Sequence, residues 1–140
     1  MNQSKKKYIY LPIEIKSREF LTSLLMVSHL LKKKFKIIIC SKLALSYLIR
    51  LKLIQKGIIF LNSATDDETY KFYKENNLKI VMLDYELSPA LSDYQIKNAI
   101  KIRKKNYLKY VDYFFVIGEQ YKKTLIKLIP SIKNKIILSG

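Results

Sequence analysis

Six short apolar runs, YIYL (8–11), KIIIC (36–40), GIIFL (57–61), KIVML (79–83), YFFVIG (113–118) and KIILSG (135–140), alternate with longer stretches of helical periodicity. This rhythm is the strongest constraint on the fold. Runs of four to six β-branched and aromatic residues read as buried strands. The stretches between them are too long for tight antiparallel return, and strand–helix alternation with such connections builds a parallel sheet covered by helices on both faces. The expectation is therefore a single α/β, Rossmann-like domain spanning residues 1–140, with about six strands. Its central strands should include 36–40, 79–83 and 113–117, with Cys40 buried.

The helices carry their own punctuation. Ser17 is placed to cap a helix over 18–34 whose apolar face is Phe20, Leu21, Leu24, Leu25, Ser28 and Leu31. Ser41 caps a second helix over roughly 42–54. Thr65-Asp66-Asp67-Glu68 and Ser92-Asp93-Tyr94-Gln95 have capping-box spacing, and predict helices ending near Asn76-Asn77 and Tyr110. The second of these would turn Ile96, Ala99, Ile100, Tyr107 and Val111 inward. A last helix over 119–129 is stopped by Pro130.

Composition then removes function classes. The net charge is +16, from 27 bases and 11 acids, which on its face suggests nucleic acid or an anionic surface. Only three of the bases are Arg (Arg18, Arg50, Arg103), the residue phosphate recognition favours, so nucleic acid is not read as a partner. The clusters Lys5–Lys7 and Lys32–Lys34 with Lys36 suit either a solvated face or an anionic membrane surface. One cysteine excludes a disulfide framework and a cysteine metal site. The most apolar stretch, Phe20–Leu31, is too short for a membrane span, and Pro12, Glu14 and Lys16 interrupt any signal-peptide core. A cytoplasmic protein, with peripheral contact at the inner face of the plasma membrane left open, is the expectation.

Three glycines, Gly57, Gly118 and Gly140, cannot supply a dinucleotide fingerprint or a phosphate loop. The one histidine, His29, lies mid-helix and reads as a helix residue rather than a base. Asp66-Asp67-Glu68 reads as first-turn acids, so no metal site is expected. In a parallel sheet, ligands bind outside the carboxyl ends of the strands. That singles out Glu14, Lys16, Arg18 and Glu19 after strand one, Asp84-Tyr85-Glu86 after strand four, and Gly118-Glu119 after strand five. For the first group a functional rim competes with a simpler reading, in which Glu19 satisfies the helix N-terminus and the bases are solvated. Glu119, likewise, either lines a cleft or is a first-turn acid.

The stretches LPIEIKSREF, LDYE and FFVIGEQYKKTLIKLIPSIKNKIILSG resemble the N-terminal domain of the bacterial surface carbohydrate (capsule and lipopolysaccharide) biosynthesis proteins, which are similar to two-domain GT-B glycosyltransferases. The family pattern after strand four has an acidic pair followed by Gly; here only Asp84 and Glu86 match, with Tyr85 and Leu87 filling the other positions. The resemblance implies an acceptor-side domain, truncated or split at Gly140 with the donor-binding C-terminal domain absent, and this chain alone inactive as a transferase. Glu86 and Glu14 become base candidates, and Lys16 and Arg18 candidates for a phosphate on a sugar or lipid-linked acceptor. Gly118 becomes a tight turn, with Glu119 beside the cleft. A nucleotide sugar would bind only with the second domain, and no metal or other cofactor is implied. A receiver-like partner-binding module and an inactive remnant are the alternatives.

Overall fold

The structure, a computed structural model, describes residues 7–33, 35–63, 65–83, 92, 94, 95, 98 and 105–139. The strands β1 (Tyr8–Ile13), β2 (Lys36–Ser41), β3 (Gly57–Leu61), β4 (Leu78–Leu83), β5 (Tyr113–Val116) and β6 (Ile136–Leu138) form one sheet in the order β2-β1-β3-β4-β5-β6. The sheet is parallel, and helices connect its strands: a Rossmann-like α/β fold. The helices are α1 (Lys16–Leu31), α2 (Lys42–Arg50), α3 (Asp67–Glu75) and α4 (Glu119–Leu128), with 3-10 turns at Lys105–Lys109 and Pro130–Lys135. Among the described residues no helix is long and apolar enough to cross a membrane. The chain divides into two compact units, residues 1–60 with 75–79, and residues 61–74 with 80–140.

In the first unit β1 is the shared strand, pairing with β2 along its whole length (Tyr8 with Lys36 to Ile13 with Ser41) and with β3 from Tyr8–Gly57 to Tyr10–Ile59. Its Ile9, Tyr10 and Leu11 are buried, as are Leu45 and Ile49 of α2 and Ile59 of β3. Pro12, which has no N–H to give to a ladder, lies beyond the last β1–β3 pair. The hydroxyl of Tyr10 donates to the carbonyl of Gln55 and accepts from its N–H, both at 2.8 Å. This fixes the approach to β3. Ser41 caps α2 as its sequence position predicts, accepting the Ala44 N–H at 3.1 Å.

Three expectations are corrected in this unit. β2 is an edge strand and not a central one, so its residues 37–40, Cys40 included, are only half-buried. Its sequence is apolar enough for the middle of the sheet, but β1 covers one edge of it alone. Burial is still sufficient to push the Cys40 thiol up. The second helix ends at Arg50, earlier than 54, and Lys52 takes a left-handed conformation (φ 56°) beyond it. The third concerns α1, which starts at Lys16 with Ile15 in the cap position and no side-chain cap, so Ser17 is inside the helix. Its inward stripe is Glu19, Phe20, Ser23, Met26, Val27 and Leu30, while Leu21, Leu24, Leu25 and Leu31 are exposed. Phe20–Leu31 carries apolar residues on more than one side, so periodicity alone does not choose which side turns in; the anchoring of Glu19, described below, does.

In the second unit β5 lies between β4 and β6. The cap of α3 is Asp66, not Thr65: its carboxylate accepts the Thr69 N–H (2.8 Å) and hydroxyl (2.7 Å), bonds that hold its pKa below the usual carboxylate range. Asp112 ties α3 to the sheet. It accepts from Lys74 Nζ at 2.8 and 2.9 Å and from the Ile80 N–H at 2.7 Å. Tyr70 stacks on Tyr107 (5.5 Å) and Tyr110 (6.4 Å). Ser92 and Gln95 form the reciprocal bonds of a capping box, as their spacing predicts. Most of the helix expected to follow, with Ile96, Ala99 and Ile100, lies outside the described residues. Where it was expected to reach Tyr110 as an α-helix, Lys105–Lys109 is instead a 3-10 turn, with Tyr107 and Val111 buried as anticipated.

Candidate functional site

The carboxyl ends of β1 and β2 bring four charged side chains to one rim of the first unit. Glu14 follows β1 directly and Lys42 follows β2 directly; the Lys42 ammonium donates to Glu14 Oε2 at 2.6 Å. Both lie on the rim because parallel neighbours end on the same side. Lys16 and Arg18, in the first turn of α1, are exposed beside them in sequence. Lys42 is the rim residue that the sequence reading missed. The signal was available: a base immediately after Ser41, the residue that ends β2 and caps α2, must share the edge on which Glu14 sits.

Glu19 is buried (5 % exposed), and it is the fixed point of the whole turn. One oxygen, Oε2, accepts the N–H of Glu14 at 2.7 Å and of Ile15 at 3.4 Å; the other accepts from Arg18 Nη2 at 3.1 Å. The carboxylate thus reaches back over the helix start and holds the β1–α1 corner closed. This is the simpler of the two readings the sequence left open for Glu19, since one of its oxygens is committed to the backbone and the other to Arg18. Burial acts to raise its pKa, but the Glu14 N–H, the Arg18 guanidinium and the Ile15 N–H outweigh that and hold it lowered.

A stability consequence follows with a definite sign. A carboxylate whose folded pKa is lowered contributes stability above its unfolded value, about 4.3, and loses that contribution as pH falls through the folded value. Glu19→Ala should cost about 1–3 kcal/mol at neutral pH, the usual penalty for stripping the partner from buried backbone donors. The difference between parent and variant should shrink below about pH 4. Denaturant melts at pH 7 and pH 3 check this; an unchanged difference at the lower pH removes the charge from the account.

Gly118 and Glu119 belong to the second unit. Gly118 follows β5 at φ 87°, ψ 138°, a conformation side chains rarely adopt, and so makes the tight turn anticipated there. Glu119 opens α4, half-exposed, with Lys122 Nζ 3.3 Å from Oε1 one turn on. That is the arrangement of a first-turn acid. Asp84, Tyr85 and Glu86 lie outside the described residues. Among the described residues no group of three or more His, Cys, Asp or Glu is placed to hold a metal ion.

The arrangement defines a Rossmann-like domain with a mixed-charge rim: one carboxylate in an ion pair with Lys42, next to exposed bases at a helix start. Comparison with known proteins adds no relative: no protein-family model, curated protein or solved structure gives a significant match.

Proposed function

We propose that the chain is the acceptor-side domain of a GT-B-like glycosyltransferase of surface polysaccharide assembly, working at the cytoplasmic face of a membrane. The observation that carries this reading is the rim itself, where Glu14, Lys16, Arg18 and Lys42 gather at the strand ends, the edge at which open parallel sheets take their ligands. The family resemblance of LPIEIKSREF and LDYE supplies the chemistry. A carboxylate, Glu86 or Glu14, takes the proton of an acceptor hydroxyl as that oxygen attacks the anomeric carbon, and the nucleotide diphosphate leaves with the electron pair of the broken C–O bond. Lys16 and Arg18 are the groups offered to a phosphate on the acceptor, and a nucleotide sugar would be held elsewhere in the enzyme.

The test is binding to residues 1–140, with a water-soluble prenyl phosphate as probe and a nucleotide sugar as the comparison. The prenyl phosphate should bind saturably and the nucleotide sugar should not. Arg18→Ala should weaken prenyl phosphate binding about tenfold, the size of one charge-assisted hydrogen bond. Saturable nucleotide-sugar binding, or sugar transfer by this chain alone, would overturn the acceptor-side assignment.

A further inference from the structure

The side of α1 turned away from the sheet exposes four leucines, interspersed with Thr22, Ser28 and His29. Leu21 is 74 % exposed, Leu25 62 %, Leu31 61 % and Leu24 41 %, along a helix of 16 residues. Leucines this exposed on one side of a helix mark a surface that is covered when a partner is present. The basic residues Lys16 and Arg18 precede this stripe, and Lys32 and Lys33 follow it, all four exposed. Between Phe20 and Thr65 the chain has eight bases and no acid. Leucines bracketed by bases, in a segment free of carboxylates, have the composition of a helix that lies in the headgroup region of a bilayer.

We propose that the outward face of α1 docks on an anionic phospholipid surface, its leucines entering the interface and the bases at its two ends meeting lipid phosphates. A second copy of this chain is the poorer occupant, because pairing two such stripes brings like-charged ends together on molecules of net charge +16. α2 and its C-cap residue also expose apolar side chains, Leu43, Tyr47 and Leu51. The β1-to-β2 and β2-to-β3 connections run in opposite directions across the sheet, so right-handed crossovers place α1 and α2 on opposite faces. One flat bilayer meets only one of them. Bases bound both stripes, but α1 is the longer, 16 residues against nine, and exposes four leucines where α2 itself exposes Leu43 and Tyr47. The proposal rests on the membrane placement given under Proposed function, and not on its chemistry.

Co-sedimentation of residues 1–140 with phosphatidylglycerol–phosphatidylcholine vesicles tests it, with phosphatidylcholine alone as the comparison. Binding should require phosphatidylglycerol and fall steeply with added salt. The double change Leu21→Gln, Leu25→Gln should lower partitioning about tenfold or more, and Leu43→Gln, Tyr47→Gln should alter it by less than about twofold. Leu31→Gln, one change at the helix end, reads the same face should the double variant lose its circular dichroism spectrum. Absence of phosphatidylglycerol-dependent binding, equal loss in the α2 variant, or a parent dimer that the α1 variant turns into a monomer would each overturn the proposal. Prenyl phosphate binding, measured without vesicles, separates the two readings: the α1 leucine variants should keep it and Arg18→Ala should weaken it about tenfold.

Discussion

Gly57→Ala should lower the stability of the chain by about 2–4 kcal/mol, with a fall in Tm of roughly 6–15 °C. Gly57 faces Tyr8 in the β1–β3 ladder, and a Cβ added there would sit 2.6 Å from the Tyr8 carbonyl oxygen, 2.9 Å from Cε2 of Tyr10 and 3.0 Å from the Tyr8 Cβ. The first and third of these atoms are fixed to the strand backbone, so relief requires β1 and β3 to part. The Tyr10 ring has no freedom to swing aside either, since its hydroxyl is held by both backbone groups of Gln55. Gly118→Ala is the informative comparison. An added Cβ there meets nothing within 4 Å, so its cost is that of the positive-φ backbone alone, about 1–3 kcal/mol. Thermal melts of both variants compare a steric with a conformational cost, and a Gly57→Ala protein as stable as its parent would refute the close β1–β3 contact.

Under the proposed function, Glu86→Gln in an active transferase carrying this domain should slow sugar transfer about a hundred- to ten-thousand-fold while leaving Tm close to that of the parent. The amide keeps the size of the carboxylate and loses its capacity to take the acceptor proton. Glu14 already accepts the Lys42 ammonium on one oxygen, which makes Glu86 the first of the two candidates to substitute. Comparing kcat for Glu86→Gln and Glu14→Gln discriminates between them. Near-normal turnover in the Glu86 variant with a large loss in the Glu14 variant would move the base to Glu14; near-normal turnover in both would end this assignment of the base.

The architecture was legible in the sequence because each apolar run is short, rich in Ile, Val, Phe or Tyr, and bounded by polar residues. That pattern specifies strands whatever their neighbours. Strand order is another matter: KIIIC has the composition of a central strand but stands at the edge, and no property of those five residues distinguishes the two positions. The face of α1 was illegible for a related reason, since leucines lie on more than one side of that helix. What settles it is Glu19 folding back onto the Glu14 N–H, a contact five residues apart that helical periodicity does not register. Caps with short polar side chains were read correctly at Ser41 and at Ser92 with Gln95, because their hydrogen bonds are local. At the rim, Glu14, Lys16 and Arg18 followed from the rule of strand ends, and Lys42 follows from the same rule applied to β2.

The position of β1 between β2 and β3 also bears on how the chain reaches its fold. Its partners in β2 lie 28 residues away and those in β3 lie 49 away. Loop closure favours the nearer pairing by only about 0.5 kcal/mol, so the order of assembly is weakly biased toward β1 with β2. Any state in which β2 has docked and β3 has not leaves Tyr8–Ile13, an apolar strand, with one open edge, the kind of template on which chains join one another. Residues 1–60 carry 13 bases and two acids. Two chains caught at that stage therefore repel each other. The lysine excess of the N-terminal half thus guards against misassembly during the interval before Gly57 closes against Tyr8.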